Sequence, residues 1–453
     1  MPVPYPAFFN IQGVGMDLLK DNVGKLYRKF FIASFGSALI ACIYGLVDMA
    51  MVGQYHGPDG SAAMAVIAPI WNIIYSFGLL CGIGGSVIYA VARGERDDVK
   101  AANGYFTSAF ILGAIWALIL WVLVWVCEEP LLRLFGANDA LRPLCKEYMV
   151  APKLTVPVYV FINLLSSFLR NDGDPGRATK AVIFGGIFNV FGDYFFVFTL
   201  DMGIKGAGIA TAMGASMSVL VMLTHFISKK NTLKFVKPFR ILNSFKMISI
   251  NGFSSFIVDV AMGIATMLFN RRVMEYLGTD ALAVYGVIVV VGTLVQCCSY
   301  GIGQAAQPVI SRNFGAGLTD RIKTMLKYNI ITAAVFGAIW TVLSMAMPQV
   351  FIKLFMTPTP EVLSIAPGII RIYAISFVLL PFNIYSTYYF QAIMRAKISL
   401  IASVARGIVI SGALILLLPV AFGGNAVWWA MPITEAVVFV YSAVMMKKVK
   451  LSR

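Results

Sequence analysis

Four acidic side chains stand inside long apolar stretches of this chain: Asp48, Asp193, Asp259 and Glu435. A carboxylate at the centre of a membrane-spanning helix costs on the order of 2.5–3.5 kcal/mol on insertion scales, so each needs a partner, a wet cavity or a task. Asn189 precedes Asp193 by four residues, which places amide and carboxylate on one helical face a turn apart. The next apolar stretch begins at Lys205 and carries Thr211 inward by about six residues, roughly 9 Å. Asp193 lies about thirteen residues, roughly 20 Å, from Lys180 at the other end of its helix, and Asp48 lies about eighteen residues, roughly 27 Å, beyond Phe30. Asp48, Asn189, Asp193 and Thr211 thus reach similar depth.

Carboxylate, amide and hydroxyl oxygens are what a hard cation such as Na⁺ requires, and two desolvated carboxylates can share a proton. One site can serve either ion. The same four residues would also work as interhelical hydrogen-bond glue. Asp259 and Glu435 are secondary candidates. Asp259 has similar depth but no second acid nearby in sequence, and Glu435 follows Pro432 with Arg406 in the preceding apolar stretch, which suits a buried ion pair.

Other reactive residues carry less. The six Cys residues (42, 81, 127, 145, 297, 298) have no metal-ligand spacing and read as packing residues, although Cys127 and Cys145 flank one loop and a bond between them is open to the sequence. His56 reads as a loop residue and His225 as a helix-end residue, neither with a ligand partner. No paired His, Ser or acidic residues suggest an enzyme, and no cofactor is expected beyond a coupling ion. The 22 Met, 33 Phe, 19 Tyr and 7 Trp residues can line a pliable site for flat lipophilic cations, while most of them must face lipid or neighbouring helices.

The elements that position these residues follow from composition. With 59% apolar and 13% charged residues in 453, and a mean hydropathy of +0.82, too few polar groups remain to cover a water-soluble body. The apolar stretches run about 20 residues or more, enough to cross roughly 30 Å of hydrocarbon as helices that satisfy their own backbone groups. The expectation is an all-α polytopic membrane protein with spans near 31–52, 62–92, 104–126, 148–169, 181–200 and 206–227, then 247–270, 281–310, 328–347, 372–393, 398–420 and 427–446.

The net charge of +15 does not imply a nucleic-acid partner, because Lys and Arg concentrate in alternate loops. Lys20 to Lys29, Arg93 to Lys100, Arg170 to Lys180, Lys229 to Lys246, Arg312 to Lys327, Arg395 to Lys397 and the tail all lie on one side. The positive-inside rule puts that side, and both termini, in the cytoplasm. The expected organisation is a cytoplasmic segment 1–30, a first lobe 31–228, a basic linker 229–246, a second lobe 247–446 and a tail 447–453. No short apolar segment with a small-residue cleavage site precedes the first span, so no removable signal peptide is expected.

The halves resemble each other. Residues 58–93 lie over 277–312 without a gap, matching Gly82-Ile83-Gly84 to Gly301-Ile302-Gly303 and Arg93 to Arg312; Leu134-Phe135 meets Leu354-Phe355 and Pro157 meets Pro381. With six spans each, the copies are parallel, a duplication that typically places a substrate site between halves near mid-membrane. Pro69, Pro157, Pro308, Pro381 and Pro432 serve either as hinges or as packing positions.

These motifs together resemble the multidrug and toxic compound extrusion (MATE) family over nearly the whole chain. Ile43 to Gly53, with Asp48 at its centre, looks like that family's first-span motif, Arg93 to Asp98 like its first cytoplasmic loop, and Asn189 and Asp193 followed by Gly203 to Thr211 like its fifth-to-sixth-span signature. The resemblance implies a monomeric, multi-pass transporter of the bacterial or archaeal plasma membrane that exports lipophilic cations in exchange for H⁺ or Na⁺. In the prokaryotic branch that the pattern most resembles, Asp48, Asn189, Asp193 and Thr211 match positions implicated in binding that ion. Another branch carries a Glu in the seventh span and an Asp in the tenth; here Asp259 stands about a turn from the first position and the tenth span has no acid. Many relatives also carry a Pro early in the first span, where this chain reads Ile32-Ala33-Ser34-Phe35-Gly36. A lipid-linked-precursor flippase or another twelve-span transporter is the alternative, and the former would want several Arg residues inside spans, where Arg406 stands alone.

Overall fold

Backbone groups in hydrocarbon have no water to bond, which leaves helices as the solution for these apolar stretches, and the described residues contain helices and no strand. The computed structural model describes residues 17–451 except 97, 138, 140, 239, 356 and 357. Asp97 of the loop motif and the outer parts of the expected terminal segments, 1–16 and 452–453, lie outside the described residues.

The first half contains spans 1 (Val23–Gly57), 2 (Asp59–Glu95), 3 (Val99–Val126), 5 (Pro175–Thr199) and 6 (Gly203–Ile227), while span 4 is a bent pair, Leu141–Leu154 and Val156–Asn171, with 56° between its parts. In the second half, one 75-residue element, Ile241–Gly315, breaks at Gly278 (φ 81°, ψ −169°) and supplies spans 7 and 8. Spans 9 (Thr319–Ala346), 10 (Pro360–Ala392), 11 (Ala396–Phe422) and 12 (Gly424–Lys448) complete the set. Gly57 (φ 64°, ψ −147°) makes the same sharp break between spans 1 and 2. Both positions need a positive φ, which a side chain resists. Short helices Glu128–Leu134 and Pro348–Phe355 follow spans 3 and 9, so the duplication reaches the loops as well.

Several expected boundaries shift. Helix begins at Val23 rather than near Phe31, and at Ile241 rather than near Met247, so the non-helical part of the basic linker is shorter than the charge pattern suggested. The fourth span is not one straight helix, because it breaks at Thr155 and Pro157 stands in the first turn of its second part. Pro lacks the donor that would continue the first part and is tolerated in the first turn of the second. Cys127 and Cys145 are free thiols, not a bonded pair.

The lobes interlock at the terminus-bearing ends of spans 1, 2, 7 and 8. Leu26 and Phe30 of span 1 and Ile83, Val87 and Val91 of span 2 belong to the apolar core that fills the second lobe, while Ile248 of span 7 belongs to that of the first. Approach there is backbone to backbone. A Cβ on Gly84 would stand 2.2 Å from the Ile248 carbonyl oxygen, and one on Gly315 would stand 2.0 Å from that of Val91. Asn313 and Arg321 also hold the start of the chain against the second lobe, through the Leu18 carbonyl at 3.0 and 3.1 Å.

A buried oxygen-rich site between spans 1, 4, 5 and 6

Small residues bring the four spans together at one level. A Cβ on Gly185 of span 5 would lie 2.6 Å from the Gly214 carbonyl oxygen of span 6, and one on Gly208 would lie 2.1 Å from that of Tyr148 in span 4. Only glycine permits these approaches, and they are the membrane counterpart of a packed core. The result is that Asn189, a turn beyond Gly185, meets Thr211, a turn before Gly214.

Thr211 is the hub. Its hydroxyl accepts from the Asn189 side-chain amide at 3.3 Å and donates to Asp48 Oδ2 at 3.4 Å. The Tyr148 hydroxyl reaches the same Asp48 oxygen at 3.4 Å and Thr211 Oγ1 at 3.3 Å. Asp193 lies one helical turn beyond Asn189 on the same face of span 5. Hydrogen bonds thus join Asp48, Asn189 and Thr211, with Asp193 a turn further along span 5; Asp193 is 0% and Asp48 6% exposed, and Thr211 is half-buried.

Tyr148 was missed by sequence reasoning. With 19 tyrosines in the chain, no spacing singled it out; only the close approach of Gly208 to its backbone puts its ring beside Asp48. The helix also changes pitch at this point, because a π-helical segment, Tyr194–Thr199, starts directly after Asp193. Such segments collect at functional sites.

The oxygens left over decide what the site can hold. Asp48 Oδ1, Asn189 Oδ1 and both Asp193 carboxylate oxygens are buried without a hydrogen-bond donor. Buried polar groups are normally satisfied. Four acceptors with no donor, three of them carboxylate oxygens, fit a small hard cation or a proton. Asp48, Asn189, Asp193 and Thr211 would be its holders, and the ion would supply positive charge that lets both carboxylates remain buried.

The secondary candidates lie elsewhere. Asp259 accepts from the Tyr300 hydroxyl at 2.7 Å, and that hydroxyl accepts from the Gln296 amide at 2.6 Å. Asp259, Tyr300, Tyr388 and Arg406 line a narrow cleft that Leu79 of the first lobe also borders. Glu435 is fully buried and bound on both carboxylate oxygens, by Arg406 Nε at 2.7 Å and Asn383 Nδ2 at 2.6 Å. It is an ion pair with a donor on each oxygen, whereas Asp193 has no donor on either.

Both histidines have partners that the sequence did not reveal. His56 lies in helix beside the Gly57 break, not in an irregular loop, and its Nε2 accepts from the Ile204 amide at 3.0 Å. His225 Nε2 bonds Asp172 at 2.8 Å, with Nδ1 3.4 Å from Asp174.

Known proteins share this architecture. A multidrug export protein, MepA, of Staphylococcus haemolyticus is 24% identical over 92% of this chain and 92% of its own length. A MATE transporter of the MOP superfamily solved in an outward-facing conformation superposes with a TM-score of 0.87 at 22% identity, over 96% of this chain and 98% of that one. A MOP superfamily transporter from Pyrococcus furiosus, described as having a binding pocket of reversed polarity that suggests a different function, superposes at 0.85 with 23% identity, over 95% and 98%. The sequence profile of the MatE family matches residues 33–195 and again 253–416. The two matches recover the internal duplication, and the first contains Asp48, Asn189 and Asp193. Because they span well over half of its length in order, this multi-pass membrane chain belongs to the MatE family.

Proposed function

We propose that this chain is a secondary active exporter of lipophilic organic cations, driven by H⁺ or Na⁺ moving inward through the cluster of Asp48, Asn189, Asp193 and Thr211. The observation that carries the reading is the set of four buried oxygens with no donor, centred on Asp193. The multidrug export activity in the names of its relatives is consistent with it.

The driving force is sufficient. One charge moving through about 100 mV yields roughly 2.3 kcal/mol, which at an RT of about 0.59 kcal/mol supports an approximately fifty-fold substrate gradient. The seam at the terminus-bearing ends, cytoplasmic by the positive-inside reading, closes that face in this state. An ion then enters from outside, neutralises the carboxylates, favours substrate release outward and permits the return to the inward-open state. Monomeric function in the plasma membrane fits a site built within one lobe.

The test is Asp193→Asn in proteoliposomes. The variant inserts at normal levels and loses ion-driven efflux of a cationic dye; unchanged efflux sinks the assignment.

A further inference from the structure

The segment joining the lobes is not a slack tether. Between Ser228 and Pro238 it is pinned at alternate residues, first to the end of span 4 and then along span 3: the Thr232 amide donates to Asp172 Oδ2 at 2.9 Å, the Lys234 amide to Asn103 Oδ1 at 3.1 Å and the Val236 amide to Thr107 Oγ1 at 3.0 Å. The Thr232 carbonyl accepts from Asn103 Nδ2 at 3.1 Å. This strap holds its side chains in fixed places.

Those side chains form two bands. Phe235 is 57% exposed, yet its ring packs against Phe106 and Phe110 of span 3, with centroids 5.1 and 5.0 Å away. Phe110 lies about eleven residues, roughly 16 Å, into that helix, within the expected span 104–126, so Phe235 packs on the apolar part of span 3. Ile227 and Leu242 at either end of the strap are 88% and 77% exposed. Beside this apolar band, Lys229, Lys234 and Lys237 are exposed, with no acidic partner among the described residues. The chain has no Asp or Glu between Asp201 and Asp259. The two acids that touch the strap are already engaged: Asp172 by His225 and Thr232, and Asp174 by Arg177 at 3.0 Å and Lys230 at 3.5 Å.

We infer that the strap is a binding surface for anionic phospholipid, with Lys229, Lys234 and Lys237 taking the headgroup phosphate and Phe235 and Ile227 taking the acyl chain. Charge complementarity selects the occupant. Uncompensated ammonium groups at headgroup depth attract acidic lipid by about 1 kcal/mol each, or roughly fivefold in affinity per residue. The aromatic side chain beside them reaches into the acyl region, which a soluble anion does not occupy. Bound lipid would add a further fixed point to the segment that joins the two lobes.

The experiment titrates the full-length protein in nanodiscs of phosphatidylcholine with phosphatidylglycerol, reads retained lipid by native mass spectrometry, and repeats the titration with inorganic phosphate alone. The wild type and a control triple variant, K327Q/K397Q/K447Q, retain phosphatidylglycerol over phosphatidylcholine. The strap variant K229Q/K234Q/K237Q loses that retention at least about tenfold, and Phe235→Ser lowers it with no change toward phosphate. Equal retention by the strap and control variants overturns the proposal, as does phosphate binding as tightly as the lipid. Should the triple variant fail to fold, Lys234→Gln alone decides, with a loss of about fivefold expected and no loss overturning it.

Discussion

Asp48 and Asp193, both buried, are provided for unequally: Asp48 Oδ2 has two hydroxyls at 3.4 Å, from Tyr148 and Thr211, while neither oxygen of Asp193 has a donor. A structural polar contact would be bonded on both sides, as Glu435 is. The imbalance is what supports the proposal that Asp193 binds the coupling ion.

Removing the Asp193 charge should therefore stabilise the fold while it destroys coupling. An unpaired carboxylate in a spanning helix costs on the order of 2.5–3.5 kcal/mol, a cost that an apolar residue of similar size does not carry. Asp193→Leu is expected to raise the thermal unfolding midpoint in detergent. A lowered midpoint would mean the carboxylate is interhelical glue after all.

Tyr148→Phe removes one hydroxyl from Asp48 and leaves the ring in place. A hydrogen bond is worth about 1 kcal/mol net, somewhat more to a charged group, so the ion concentration for half-maximal dye efflux should change about five- to tenfold with maximal efflux retained. An unaltered ion dependence would exclude Tyr148 from the site.

The glycine seam predicts a conformational phenotype. Gly84→Val or Gly315→Ala puts a side-chain carbon where the opposing lobe's carbonyl oxygen stands at about 2 Å, closer than van der Waals contact allows. In a cysteine-free background with spin labels at positions 100 and 327, either substitution should lengthen the distance distribution across the terminus-bearing face. Unchanged distances would show that this seam does not close it.

Asp174 gives a pH signature outside the spans. Burial opposes its ionisation, but the His225 hydrogen bond and the Lys230 and Arg177 charges outweigh that and hold its carboxyl well below the ordinary range. A depressed folded-state pKa contributes stability that is present above the unfolded value of about 3.9 and lost as pH falls below it. Asp174→Asn should then unfold at lower temperature than wild type at pH 7, with the gap narrowing near pH 3. A gap that does not change with pH contradicts the linkage.

Much of this was legible in the sequence for physical reasons. Long apolar stretches have one backbone solution in a bilayer, buried acids announce themselves by cost, and Asn189 and Asp193 share a helical face by spacing alone. What was not legible depends on close contact between distant segments. Tyr148 joins the site because Gly208 lets span 4 approach; His225 finds Asp172 and Asp174 only once span 6 folds back beside span 5. The break at Thr155 and the early start of span 7 are end effects that hydropathy does not resolve.

The central claim is that ion coupling belongs to the first lobe. Proteoliposomes carrying wild type, Asp193→Asn or Asp259→Asn, with a pH gradient or a sodium gradient imposed one at a time, measure it by the rate of cationic dye transport. The expected result is that one of the two gradients drives transport in wild type and in Asp259→Asn, and neither drives it in Asp193→Asn. Gradient-driven transport that survives in Asp193→Asn and disappears in Asp259→Asn would contradict the account.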